Sequence, residues 1–288
     1  MVRSSRIMKR RKGPTMVRIK MFSHYNHFLS HWAKPGEPYI PCYNDGFVKM
    51  PNIEANAIAL LIEPRPLQPK VYEYIEKNYN RFKYVFTHDS ILMDKIPNAR
   101  LIIWGGVWSW GDGVKDYNKP ISMVASWKEE APVRIQRKHL AMELKDKIDC
   151  FGDFDGGPRA DTNEIYGKYL FSVVIENHID EYWITEKICN CFAHFTVPIY
   201  YGATNIGELF NTDGIIICHS IDEVRQQVDD LLSIGDPFLD YSGRRDNWMH
   251  EYLKRQQAIR DNHERVKNYK SFDEWFFNHY ETMLEGLQ

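Results

Sequence analysis

Apolar runs of strand length, with little polar alternation, recur along this chain, and segments of helical period separate them. AIALLIE (57–63), KYVFTH (83–88), ARLIIWGG (99–106), KYLFSVVIE (168–176), TVPIYYG (196–202) and GIIICH (214–219) are of this kind. A strand with one wet face alternates apolar and polar residues. An unbroken run is buried on both faces, which requires a parallel sheet covered by helices on each side. The covers are PKVYEYIEKNYNRF (69–82), VRIQRKHLAMELKDKI (133–148) with Ile135, Leu140, Leu144 and Ile148 on one side, and a helix carrying Ile188, Phe192 and Phe195. SIDEVRQQVDDLL (220–232) opens on a capping box, Ser220 to Glu223. IKMFSHY (19–25), ISMVAS (121–126) and DCFG (149–152) read as further strands, so the fold class is α/β.

VWSWGDGVKDYNKP (107–120) gathers Gly, Asp, Asn and Pro between periodic segments and reads as a connecting loop. It divides the chain into two α/β units. The expected division is a basic, disordered leader over 1–16, a first unit over 17–120, a second over 121–265, and a C-terminal helix over 266–288 that packs back on the first unit. With 288 residues, 43% hydrophobic and 26% charged, the chain is of soluble globular type, and a net charge of −2 argues against a nucleic-acid binder. No apolar run is long enough to span a membrane, and the basic start lacks the apolar segment of a signal peptide, although it suits weak contact with an acidic membrane surface. Five scattered cysteines fit reduced thiols, so the expected location is cytoplasmic.

In open parallel sheets ligands bind beyond the carboxyl ends of strands. Glu63, His88 and Glu176 stand at such ends. ENHIDEYWITEK (176–187) follows its strand with an acid, an amide, aromatics and then Thr185-Glu186-Lys187 at a helix start. A helix N-terminus with a lysine in its first turn is an anion site, and Glu186 can accept hydrogen bonds from ribose hydroxyls. The alternative is that Glu186 and Lys187 are first-turn surface residues and Asn177 a turn residue.

The block KYLFSVVIENHIDEYWITEKICNCFAHFTVPIYYGATNI resembles the signature of the α1,3/α1,4-fucosyltransferase family: an apolar strand, Glu-Asn, a variable loop, Tyr-x-Thr-Glu-Lys and a Val/Ile-Pro-x-x-x-Gly strand. Glu176-Asn177, Thr185-Glu186-Lys187 and Val197-Pro198…Gly202 match in order and spacing. SWKEEAPVR resembles the family's Ser-Asn…Arg element and puts Arg134 on its phosphate-binding arginine; IDCFGDFDGG is similar to the strand and glycine loop that follow it. The resemblance covers roughly residues 120 to 235. It implies a GT-B architecture, two Rossmann-like domains facing a cleft. By it, Arg134 and Lys187 neutralise a diphosphate, Glu186 holds the ribose and Asn177 supports the diphosphate loop. The implied activity is inverting transfer of L-fucose from GDP-fucose to a glycan hydroxyl, with no cofactor beyond the sugar-nucleotide donor.

The pattern departs from the family at Trp183, where the family has tyrosine. Tyr182 is the neighbouring phenol that can replace the lost oxygen. The departure keeps a UDP-sugar such as UDP-xylose as an alternative donor. The family's general base is a glutamate in a Gly-Glu-Asn-type turn after an early strand. Its partial counterpart is Glu63 in ALLIEPRP, with a structural Glu63–Arg65 pair as the alternative and Asp89, beside His88, as the reserve. Asp153-Phe-Asp155 has the look of a metal-diphosphate motif, but arginine and lysine neutralisation makes a metal unnecessary, and none is expected. Trp108 and Trp110 are candidates to line the acceptor cleft, while Trp104 reads as packing. The rival from another class is a non-catalytic nucleotide-sugar or glycan-binding module.

Overall fold

The computed structural model describes residues 16–22, 31–45, 52–116, 119–234 and 248–288. Apart from Met16, the segment read as a basic leader lies outside the described residues. Two five-stranded sheets, all parallel, organise the chain. This is the two-sheet α/β organisation that the GT-B resemblance implies.

The first sheet holds β1 (Ile19–Met21), β2 (Ile40–Asn44), β3 (Ile58–Leu60), β4 (Tyr84–Thr87) and β5 (Ala99–Leu101) in that spatial order. β2 is absent from the sequence reading. Pro41 inside IPCYN speaks against a strand, because proline cannot donate to a ladder. Even so, β2 is buried along its whole length and pairs with β1 and β3. α1 (Pro69–Asn78) and the short α2 (Ser90–Lys95) cover this sheet, with Val71, Tyr72, Ile75 and Leu92 inward.

The second sheet holds β6 (Ile121–Val124), β7 (Asp149–Phe151), β8 (Phe171–Ile175), β9 (Val197–Tyr201) and β10 (Ile216–Ile217), in the order β10-β9-β8-β6-β7. β8 is buried at all five residues, as its unbroken FSVVI requires. From β6 the chain moves to β7 on one side and then returns to β8 on the other. The direction of winding therefore reverses between β6 and β8, and a crevice opens beyond their carboxyl ends. α3 (Pro132–Leu144), α4 (Glu186–Ala193), the short α5 (Ile206–Leu209) and α6 (Ile221–Ser233) follow their strands. Ser220 caps α6 by accepting from the Glu223 N–H, as the capping box predicts.

α4 ends at Ala193, short of Phe195. Phe195 has φ 57° and leaves the helical path; its ring stacks on His263 at 4.0 Å. A left-handed residue at that place is a common way to stop a helix. α7 (Trp248–Leu253) and α8 (Gln256–Arg265) continue on the second unit, where Asn262 exchanges hydrogen bonds with the backbone of Asn211. α9 (Phe272–Glu285) then lies against the first sheet, with Phe276 and Tyr280 both 4.8 Å from the Phe86 ring. Among the described residues, no helix is long and apolar enough to cross a membrane.

Candidate active site

The carboxyl end of β8 carries Glu176, which is fully buried. A buried carboxylate needs partners, and Glu176 accepts from the Thr185 N–H (2.9 Å), the Thr185 hydroxyl (2.7 Å) and Lys187 Nζ (3.3 Å). The acid therefore folds the 177–184 loop back and fixes the start of α4. Thr185 is the N-cap, and its Oγ1 also accepts from Lys187 Nζ at 2.8 Å. A Cβ on Gly202, at the end of β9, would press into Glu176 Cγ at 2.8 Å, so this strand end closes over the acid only as glycine.

Asn177 follows immediately. Its Oδ1 accepts from Arg137 Nη1 at 3.0 Å, and the same Nη1 donates to the Ile175 carbonyl at 2.7 Å. With Oδ1 engaged, the amide offers its N–H groups. Arg137 is buried, and its Nε has no hydrogen-bond partner. Burial lowers its proton affinity, and Glu176 raises it. One turn earlier on α3, Arg134 pairs with Glu130 at 2.9 Å while its Nε is enclosed without a partner.

These groups converge on one cavity of about 340 Å³ at the reversal of winding. Arg134, Arg137, Asn177, Glu186 and Lys187 line it, with Val124–Ser126, Gly152, Asp153, Ile165, Tyr166 and Asn190 as further walls and Trp108 at the rim. Gly152 has φ 99°, and a Cβ there would collide with the Ala125 carbonyl oxygen, so this close crossing at the cavity wall requires glycine. Lys128 and Arg159 line it too, so the cavity sets five cationic side chains and a helix N-terminus beside two carboxylates, Asp153 and Glu186. That combination suits a polyanion attached to a polyol.

Of the predicted donor residues, Arg134, Asn177, Glu186 and Lys187 are thus brought together. Thr185 is behind the wall as the helix cap. Tyr182 and Trp183 are not among the lining residues. The Tyr182 hydroxyl donates to Glu208 at 3.2 Å, so it does not stand in for the missing phenol in the cavity. Trp183 is 3% exposed and turned toward the first unit, its ring 4.3 Å from His88, with Nε1 lacking a partner. The indole's apolar bulk packs against His88 of the first unit. Arg137 and Asn190 went unread in the sequence. Their signal was present, three residues after Arg134 and four after Glu186, the spacing of one helix face.

In the first unit, Glu63 lies just beyond β3. It forms no pair with Arg65. Arg65 binds Asp89 through Nε and Nη2, both at 2.9 Å, and Glu76 through Nη1 at 2.8 Å. Asp89 also caps α2 by accepting from the Leu92 N–H at 2.8 Å, so both its oxygens are engaged structurally and it is poorly placed to take a proton. Asp45, at the end of β2, accepts from the N–H groups of Ile62 (2.9 Å) and Glu63 (3.0 Å) and so shapes the turn that carries Glu63. Burial first, and the Glu63 charge in addition, push the Asp45 carboxyl up to about 7 against two opposing backbone hydrogen bonds. Glu63 Oε2 is enclosed without a hydrogen-bond partner. His88 is fully buried, 3.8 Å from the Asp180 carboxylate.

Asp153 accepts from the Trp127 N–H and pairs with Arg159. Among the described residues, no three His, Cys, Asp or Glu side chains are grouped to hold a metal ion.

A two-sheet α/β chain with a cation-rich crevice at the winding reversal has the form of a glycosyltransferase. The pattern described as glycosyltransferase family 10 (fucosyltransferase) C-term matches residues 115–275, more than half of the chain, and the chain belongs to that family. It is 28% identical over 67 residues to the alpha-(1,3)-fucosyltransferase FucT of Helicobacter pylori; the match covers 23% of this chain and 14% of that protein's length. Among solved structures it is similar to an alpha1,3-fucosyltransferase with GDP (15% identity, TM-score 0.46, 83% of this chain and 82% of that one). It is also similar to an alpha1,3-fucosyltransferase with GDP-fucose (14% identity, TM-score 0.49, 89% and 94%).

Proposed function

We propose that this chain transfers a sugar from a sugar nucleotide to a glycan hydroxyl with inversion, and that the donor is GDP-fucose. The observation that carries the reading is the convergence of Arg134, Lys187, the Asn177 amide and the N-terminus of α4 on one cavity, with Glu186 beside them. In the transfer, the acceptor oxygen bonds to the anomeric carbon as the bond from that carbon to the diphosphate oxygen breaks. Negative charge grows on the leaving diphosphate, and fixed cations with oriented N–H groups stabilise it without reorganising. Glu63 takes the acceptor's proton, since its free oxygen stands at a strand end in the opposite unit and is not consumed by a structural bond. Asn177 and Arg137 hold the diphosphate loop, and Glu186 accepts from the ribose.

The test is thermal stabilisation by GDP, UDP, GDP-fucose, GDP-mannose and UDP-xylose. A ligand at about 100 times its dissociation constant adds roughly 2.7 kcal/mol. A selective shift with GDP and GDP-fucose is expected. A selective shift with UDP and UDP-xylose would replace the fucose donor while keeping the cavity. No shift with any of them would remove the donor-site assignment.

Trp183 favours keeping the UDP-sugar reading as the second one, because the phenol of the family pattern is missing and the Tyr182 hydroxyl is bonded to Glu208. A binding module without catalysis is the third reading. It accounts less well for the enclosed Glu63 oxygen that no structural bond uses.

A further inference from the structure

Arg134, Arg137, Lys187 and Glu186 account for a diphosphate and a ribose, and they leave an aromatic side chain of the same lining unassigned. Trp108 is 71% exposed and lines the cavity. Its backbone is nevertheless held, because the Trp108 N–H donates to Asn190 Oδ1 at 2.9 Å and Asn190 is itself buried. Asn190 stands four residues after Glu186 on α4, on the same helix face and about 6 Å further along the axis. The helix thus spaces the groups: anion at its N-terminus with Lys187, ribose at Glu186, and one turn on the Asn190 amide that holds the backbone carrying the Trp108 indole. That interval matches the step from a ribose to the base it carries. Ile165 and Tyr166, both buried side chains, line the cavity as well and supply apolar surface.

We propose that Trp108 stacks on the nucleobase of the donor and closes the nucleoside end of the cavity. This rests on the reading that the cavity holds a sugar nucleotide. A flat base offers a π-face to the indole, and stacking of this kind tolerates any base. Trp108 therefore adds affinity for guanine and uracil alike, and more for the larger ring, without choosing between them by hydrogen bonds. The exposed side chain contributes nothing to the core, and the bond to Asn190 is made by the backbone, so truncation leaves the loop anchored.

The experiment is calorimetric titration of the wild type, Trp108→Ala and Trp108→Phe with GDP and, separately, with inorganic pyrophosphate, which has no base. The expected result is GDP affinity about 10- to 100-fold weaker in Trp108→Ala and largely recovered in Trp108→Phe, with pyrophosphate affinity unchanged. Unchanged GDP affinity in Trp108→Ala would overturn the proposal, and so would equal weakening of GDP and pyrophosphate, which would mean a distorted cavity. Wild-type protein that binds neither ligand would overturn the sugar-nucleotide reading itself, and this inference with it.

Discussion

Glu63 differs from the carboxylates around it in what its oxygens touch. Those of Asp45 hold two backbone N–H groups, those of Asp89 hold Arg65 and a helix start, and those of Glu176 hold Thr185 and Lys187. Glu63 Oε2 is enclosed without a partner. Replacement by glutamine keeps the shape and removes the proposed base, so Glu63→Gln should lower the transfer rate by about 10²- to 10⁴-fold. GDP affinity should stay at the wild-type value, because Glu63 is not among the residues lining the cation-rich cavity. Rate assays beside nucleotide titrations check this, and an unimpaired variant would move the base elsewhere. The sequence showed Glu63 as an acid at a strand end, but not its isolation from Arg65. Ion pairing depends on which partner lies nearer in three dimensions, and Asp89, 24 residues along, lies nearer to Arg65 than the adjacent turn does. The proposed donor residues were more legible. Thr185, Glu186 and Lys187 are consecutive at a helix start, where capping geometry dictates which way their groups face. Trp183 lies outside the cavity lining and beside His88, because a residue beside a motif need not share the motif's face.

At the scale of elements, the loop from 107 to 116 is where sequence reading had least to work with. Its Gly and Asp content marked it as a connection, and no periodicity says where such a loop docks. It is tied down by single groups: the Trp108 N–H to Asn190, the Gly111 N–H to the Ala193 carbonyl, and Lys115. Lys115 Nζ donates to Thr196 Oγ1 at 2.7 Å and to the carbonyls of Tyr166 and Gly167 at 3.3 and 3.4 Å. Burial lowers its pKa to about 7, against smaller opposing effects of Cys191 and Asp112. A base with a depressed folded pKa releases its proton on folding. Its contribution is therefore fully present above the unfolded value near 10.5 and is lost as pH falls toward 7. The stability of the wild type relative to Lys115→Met should rise between pH 7 and pH 10, by at most about 1.4 kcal/mol per pH unit. Urea denaturation of both proteins across that range measures the difference, and parallel pH curves would show that Lys115 stays charged in the fold. β2 illustrates the opposite failure of reading. Pro41 removes one donor, yet burial of the whole strand between β1 and β3 outweighs that local cost.

At the scale of the whole molecule, the chain's end joins what the loop only connects. After α8 packs on the second unit, α9 crosses to the first and lays a row of aromatics on it. Phe272 stacks on Trp104 at 3.9 Å, Phe276 meets Phe86 edge-on, and the Tyr280 hydroxyl donates to the Leu101 carbonyl. Gln288 Nε2 adds a bond to the Pro38 carbonyl at 2.9 Å. Phe276 is fully buried, within the same core as β3, β4 and the strands of the second sheet. Removing its ring leaves a cavity that rigid strands on both sides cannot collapse into, so Phe276→Ala should cost about 3–5 kcal/mol. The loss should fall unevenly. The second unit keeps its own core around β8 and α4, while the first loses the surface that covers β4. Calorimetry should show the single transition of the wild type splitting in the variant, and limited proteolysis near the lower transition should cut first between residues 16 and 116. A variant that still melts in one step with less than about 1 kcal/mol lost would mean that α9 rests on the first unit without stabilising it. If the split is seen, the relative placement of Glu63 and the cavity depends on α9. Activity should then fall in Phe276→Ala at temperatures where the second unit still binds nucleotide, because the proposed base and the proposed donor site would no longer be held in one arrangement.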